Sequence, residues 1–350
     1  MLERHRLIVC VGAGGVGKTT VSAALALAAA ERGRRAMVLT IDPARALARA
    51  LGLAELTGSS QRVAAGTRGV LAAGMLDQKR AWDAFVTRQA PSPAVARTLL
   101  DNPFYQRLST SFAGSTEYVA IEELCRLADS GEHDVIVLDT PPSAHAFDFL
   151  RAPERIDRLL DRDVIGALAV GRGAWRTASA TARFVLRRLE RAAGTRTLRD
   201  ISTFFVALDL LAGAVLERTR RARALLRDPE TAFVLVAGPR QLVVDESVVL
   251  AQRLRAHGAS LAAVVVNRVH PAPDVAHAVA AAAFDALDGA PAASWLRARW
   301  DDAVAEAAAD ASHLARLRAA LPGVPLHAVP EADHDLHSLT DLARVAAFLS

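Results

Sequence analysis

The chain has 350 residues, 52% of them hydrophobic and 23% charged, and a formal net charge of +4. The hydrophobic share supports a sizeable core and argues against disorder, and the length suits one large α/β domain with an insertion, or two domains. No apolar run reaches the roughly 18 residues of a membrane span, so a cytoplasmic chain without a direct membrane span is expected, and the modest charge, carried mostly by arginine, does not point to nucleic acid.

After a charged start at residues 1–6, the continuous apolar run at 7–11 predicts a buried strand and is too short for the core of a signal peptide. Its Cys10 reads as a small core residue. The strand leads straight into Gly12-Ala13-Gly14-Gly15-Val16-Gly17-Lys18-Thr19, and a helical pattern follows over 20–32. Strand, glycine loop and helix in that order are the context of a phosphate-binding loop. The glycines let the backbone curl so that its N–H groups converge on phosphate oxygens, and the helix N-terminus adds a favourable dipole. Gly12, Ala13, Gly14, Gly15, Val16, Gly17, Lys18, Thr19 and Thr20 are therefore the expected binding residues for ATP. Lys18 would reach the β- and γ-phosphates, and the Thr19 hydroxyl would bind Mg2+. Lys18 and Lys79 are the only lysines in a chain that otherwise writes arginine. A compact ammonium fits between phosphates where a planar guanidinium does not.

Further buried strands are predicted at 36–41, 70–75, 135–138, 232–237, 262–266 and 325–329. Their runs lack polar alternation, as in a parallel sheet covered on both faces. Alternating with helical patterns, they imply an α/β fold with a doubly wound, mostly parallel sheet. Two of them close on aspartates, in Thr40-Ile41-Asp42-Pro43-Ala44 and in Asp139-Thr140-Pro141-Pro142-Ser143. The carboxyl ends of neighbouring parallel strands share an edge with the phosphate loop, so both carboxylates can face the phosphates. Asp139 fits a carboxylate that holds Mg2+ through water, and Asp42 a group that orients or deprotonates the attacking water. Either aspartate taken alone reads equally as a helix cap or a turn. His145 reads as a switch-loop residue or as an ordinary histidine.

Residues 77–130 and 151–228 carry helical patterns without a convincing strand. Pro91, Pro93 and Pro103 punctuate the first, and Gly171-Arg172-Gly173 and Gly194 the second. These two stretches are expected to form a helical insertion subdomain, leaving 1–76, 131–150 and 229–350 as the ATPase core. Arg187-Arg188 and the arginines from Arg218 to Arg223 are spaced like solvated helix faces. Residues 274–321 return to helix, interrupted at Gly289-Ala290-Pro291. Cys10 and Cys125 lie far apart with no CxxC pair, which argues against a disulfide framework or a four-ligand zinc site within one chain.

On these motifs the sequence resembles the ArsA-like ATPases, a group with the arsenite-pump ATPase and the ATPase that targets tail-anchored membrane proteins. The group falls in the wider SIMIBI class of dimeric P-loop NTPases, with MinD and ParA. The first switch resembles Ile41-Asp42-Pro43-Ala44-Arg45, and the second Asp139-Thr140-Pro141-Pro142-Ser143-Ala144-His145. Val264-Val265-Val266-Asn267-Arg268 resembles the adenine-reading segment, which implies Asn267 on the base. Val329-Pro330-Glu331 resembles the late loop whose Pro330 would pack beside adenine. The segments around Met75 to Arg80 and Tyr105 to Tyr118 resemble the family's helical insertion.

The resemblance implies a Mg-dependent ATPase working as a nucleotide-driven dimeric switch for a hydrophobic or membrane-protein client. The partner would be a second copy or a paralogous ATPase. One departure is plain: where the family commonly carries a second lysine just after the first glycine, this chain has Ala13. It cannot donate that lysine to a partner's phosphates. A weakly hydrolysing regulatory partner of a lysine-bearing paralogue is therefore an alternative. An energising subunit of an anion or metalloid transporter is another, although Cys10 and Cys125 do not make a convincing thiolate set for arsenite. Phe204, Phe205, Leu208, Leu210 and Leu211 read either as a client groove or as the insertion's own core.

Overall fold

Seven apolar runs become strands of one sheet. They are β1 (Leu7–Val11), β2 (Arg35–Thr40), β4 (Val70–Met75), β5 (Val135–Asp139), β6 (Thr231–Ala237), β7 (Leu261–Val269) and β8 (Leu326–Pro330). β7 runs on past the predicted end at 266. An eighth strand, β3 (Gln61–Val63), was not predicted. It is short and carries two polar residues, and it pairs antiparallel with β4 at the sheet's edge, where neither burial nor alternation leaves a pattern. The computed structural model describes residues 1–42, 46–56, 60–111, 115–141, 149, 151, 152, 154, 180–287 and 292–349.

The strand order is β3-β4-β2-β5-β1-β6-β7-β8. β1 sits inside the sheet, parallel to β5 on one side and β6 on the other. Every residue of β1, β5 and β6 is buried, which is why their sequences lack alternation. Helix α1 (Lys18–Glu31) follows β1 directly and is buried along most of its length. Its alanines let it lie close against β2 and β5 on one side and α11 (Leu339–Ala347) on the other. The remaining helices of this sheet are α2 (Ala46–Ala50), α8 (Gln241–Ala256), α9 (His277–Ala286) and α10 (Ala293–Ala320).

The chain divides into two compact units. One comprises Met1–Gly74, Asp134–Ala146 and Pro229–Ser350 and holds the sheet; the other comprises Met75–His133 and Phe147–Asp228 and is helical. In the helical unit, α3 (Gln78–Gln89) is capped by the Asp77 carboxylate, which accepts from the Arg80 N–H. α4 (Pro93–Leu100) is capped by Ser92, with proline at its first position. α5 (Pro103–Ser111) and α6 (Ser115–Ser130) follow, and then α7 (Ala180–Leu226), a helix of 47 residues. The break expected at Gly194 does not occur, because α7 runs through it; one glycine costs such a helix only about 1 kcal/mol.

The core of this unit is partly aromatic. Trp82 stacks on Tyr118 at 5.5 Å, and Phe104 meets Phe204 edge-on at 5.1 Å. Phe204 and Leu211 are thus core residues, whereas Leu210 is 57% exposed. The expectation of solvated arginines needs correction at Arg218. Arg218 donates to the buried Glu122 at 2.9 Å and, with Arg221, to Asp129. The motif residues at 43–45, 142–145, 171–173 and 289–291 lie outside the described residues, as do the side chains of 187 and 188.

Candidate functional site

The loop after β1 is tight at two of its glycines, where neighbouring atoms leave no room for a side chain. A Cβ on Gly12 would stand 2.0 Å from the Val236 carbonyl oxygen on the neighbouring strand. Gly17 has φ 89° and caps α1; a Cβ there would stand 2.2 Å from the Asn267 amide nitrogen. Within this curl, Lys18 Nζ donates to the carbonyls of Gly12 at 3.1 Å and Ala13 at 2.8 Å. Its ammonium therefore folds back over the loop and is largely buried. Burial lowers its proton affinity, and the nearby Asp139 and Asp42 carboxylates oppose that shift.

Asp139 ends β5 beside this loop. Its Oδ2 accepts from Thr19 Oγ1 at 2.8 Å and from Thr40 Oγ1 at 3.0 Å. Its Oδ1 is buried and has no hydrogen-bond partner among the described residues. Burial pushes the carboxyl up to about 6, against the pull of the two hydroxyls and of Lys18. Thr40, the last residue of β2, also accepts from the Asp42 N–H at 3.2 Å, so it links the two aspartate loops. Its role was missed in the sequence, where only its place before Ile41-Asp42 hinted at it. The Asp42 side chain is half-buried. Thr140 donates to the Cys10 carbonyl at 2.7 Å, pinning the second aspartate loop to β1.

A cavity of about 590 Å³ opens beside Thr19 and Thr20, and Asn267, Arg268, Pro330 and Glu331 also line it. Asn267 is buried and its Nδ2 donates to the Val16 carbonyl at 2.9 Å. The pairing of β7 with β8 slips between Asn267 and Val269, leaving Arg268 as the extra residue with φ 61°. Thr40, Asp139 and Asn267 therefore meet Lys18 and Thr19 around one loop, although the chain places them far from it in sequence.

A family model for anion-transporting ATPases matches residues 5–283. The chain belongs to the ArsA ATPase family. The doubly wound sheet and its phosphate loop are those of this family of nucleotide-binding ATPases. Relatives include ATPase ARSA1 of Chlamydomonas reinhardtii, 26% identical over 302 residues, which cover 76% of this chain and 35% of that protein. A putative arsenical pump-driving ATPase of Prosthecochloris vibrioformis is 29% identical over 154 residues, 43% of this chain and 36% of the relative. ATPase GET3 of Malassezia globosa is 28% identical over 161 residues, 44% of each chain. This ArsA-family chain thus spans between about a third and a half of the length of these relatives. Among its described residues, no helix is long and apolar enough to cross a membrane, and no group of three or more His, Cys, Asp or Glu could hold a metal ion.

Proposed function

We propose that this ArsA-family chain is a Mg-dependent ATPase and a nucleotide-driven dimeric switch, acting on a hydrophobic or membrane-associated client. The observation that carries the reading is the constellation at the phosphate loop. Lys18 Nζ rests on two loop carbonyls, and Thr19 and Thr40 converge on one oxygen of Asp139 while its other oxygen has no partner. A buried carboxylate oxygen without a donor fits a metal or its bound water. The residues that would hold Mg2+ are Thr19 directly and Asp139 through water. The metal bound there would offset negative charge on the phosphate oxygens. Asn267 and Pro330 would meet the base, and Asp42 would orient the attacking water.

Membership of an ATPase family supports the activity, as do the relatives named ATPase GET3 and ATPase ARSA1. Metalloid transport fits less well. Burial pushes both the Cys10 and the Cys125 thiols up to about 12, so neither offers a thiolate at neutral pH. Ala13 favours, as a second reading, a slow enzyme or a regulatory partner of a lysine-bearing paralogue.

Paired substitutions test the site. Lys18→Ala is expected to abolish Mg·ATP binding in calorimetry with the fold intact. Asp42→Asn is expected to keep binding and slow single-turnover hydrolysis by roughly 10²–10⁴-fold. Unchanged ATP affinity in Lys18→Ala would overturn the site, and a near-parental rate in Asp42→Asn would remove Asp42 from the mechanism.

A further inference from the structure

Just past Asn267 the chain bulges at Arg268, whose left-handed backbone is disfavoured for a residue with a side chain and has to be held by its surroundings. Two residues on, His270 anchors the strand end. Its backbone N–H donates to Asp310 Oδ2 at 2.8 Å, and its Nδ1 stands 2.9 Å from the same oxygen. Asp310 is buried on α10. At the other end of the ring, Nε2 lies 3.0 Å from Glu331 Oε2 and 3.8 Å from Glu306 Oε2. Glu331 directly follows Pro330 and lines the cavity, and its N–H donates to the Val269 carbonyl at 2.9 Å. The imidazole therefore bridges a buried carboxylate and the head of the segment that forms one cavity wall. Ionised carboxylates only accept hydrogen bonds, so both ring nitrogens must donate, and the full bridge exists only as imidazolium.

We propose that His270 is a positioning residue for the nucleotide site: its charged ring fixes Glu331, and with it the Pro330 wall, so that nucleotide affinity depends on the charge of this imidazole. The proposal rests on reading the cavity as the nucleotide's base pocket. The charged groups facing the ring are Asp310 and Glu306 from α10 and Glu331 from the segment after β8. The hydrogen bond to Asp310 leads in raising the proton affinity of His270 above its ordinary value, and the charges of all three add to it. Since the folded value lies above the ordinary one, the bridge is complete below the ordinary value. It is lost as pH rises through the raised one.

The test is calorimetric titration with ADP and magnesium from about pH 6 to about pH 9, on the full chain and on His270→Gln, Glu331→Gln and Lys18→Ala. ADP titrates its own phosphate, so the profiles are compared between variants. At the acid end, His270→Gln is expected to bind roughly twofold to fivefold more weakly than the parent, the scale of a partly exposed ion pair. That gap should close as pH rises, and Glu331→Gln should behave alike. Parallel profiles for the parent and His270→Gln would overturn the positioning role while Lys18→Ala still abolishes binding. Parental affinity in Lys18→Ala would instead overturn the nucleotide reading beneath it.

Discussion

Asp139 shows how a site residue can work against the fold that holds it. Burial raises its carboxyl from 3.8 to about 6, and the hydroxyls of Thr19 and Thr40 only partly offset that. The fold thus prefers the protonated acid, and keeping it ionised at neutral pH costs about 3 kcal/mol. The cost is complete above about pH 6 and fades as pH falls toward 3.8. Asp139→Asn is therefore expected to raise the melting temperature of the nucleotide-free protein at neutral pH. The gain should vanish in acid, and magnesium-dependent hydrolysis should be lost. Thermal denaturation across that range, beside hydrolysis assays, checks both halves; a variant less stable than the parent at neutral pH contradicts the first. The phosphate loop was legible because its residues are contiguous and their backbone demands are local. The Asn267 bond to Val16 spans 251 positions, and the contact of His270 with Asp310 spans 40. No spacing in the sequence announces such pairs.

Among the elements, buried runs were legible and exposed ones were not. β1, β5 and β6 declare themselves by unbroken apolar residues, whereas β3 has only Val63 buried. Arg218 of α7 misled in the other direction, because periodic charge looks solvated until its partners are known. Glu122 of α6 is buried beside Arg218, with Arg88 3.9 Å away on α3. Burial raises the Glu122 carboxyl's proton affinity and the Arg218 hydrogen bond opposes it. Arg218→Met leaves a buried carboxylate short of its closest cation and is expected to cost roughly 3 kcal/mol. Pairing it with Glu122→Gln should recover most of that loss, since the uncompensated charge is then gone. Denaturant unfolding of both single variants and the double variant measures the coupling; simple additivity would mean that the pair contributes little.

At the scale of the whole molecule, Ala13 decides what the proposed dimer can do. Facing γ-phosphates concentrate negative charge, and a cation donated across the interface can be worth 10³–10⁵ in rate. An alanine donates none. Slow steady-state hydrolysis is expected for this chain alone, with stimulation by a lysine-bearing paralogue. Ala13→Lys should stimulate less, because Ala13 is buried and the longer stem costs about 1–3 kcal/mol of packing. Fast hydrolysis by the chain alone, unmoved by either change, would exclude a trans lysine at this position. The strand order has a further consequence, for synthesis. β1 is made first among the strands, yet its two neighbours begin only at Val135 and Thr231. While the chain leaves the ribosome, this wholly apolar strand has no edge to pair with until β5 has been made, and its second edge stays open until β6 follows, the circumstance in which nascent chains aggregate. On the proposed reading nucleotide offers little early rescue, since its base contacts, Asn267 and Pro330, emerge later still. Strand order alone thus makes this segment the one most in need of a chaperone.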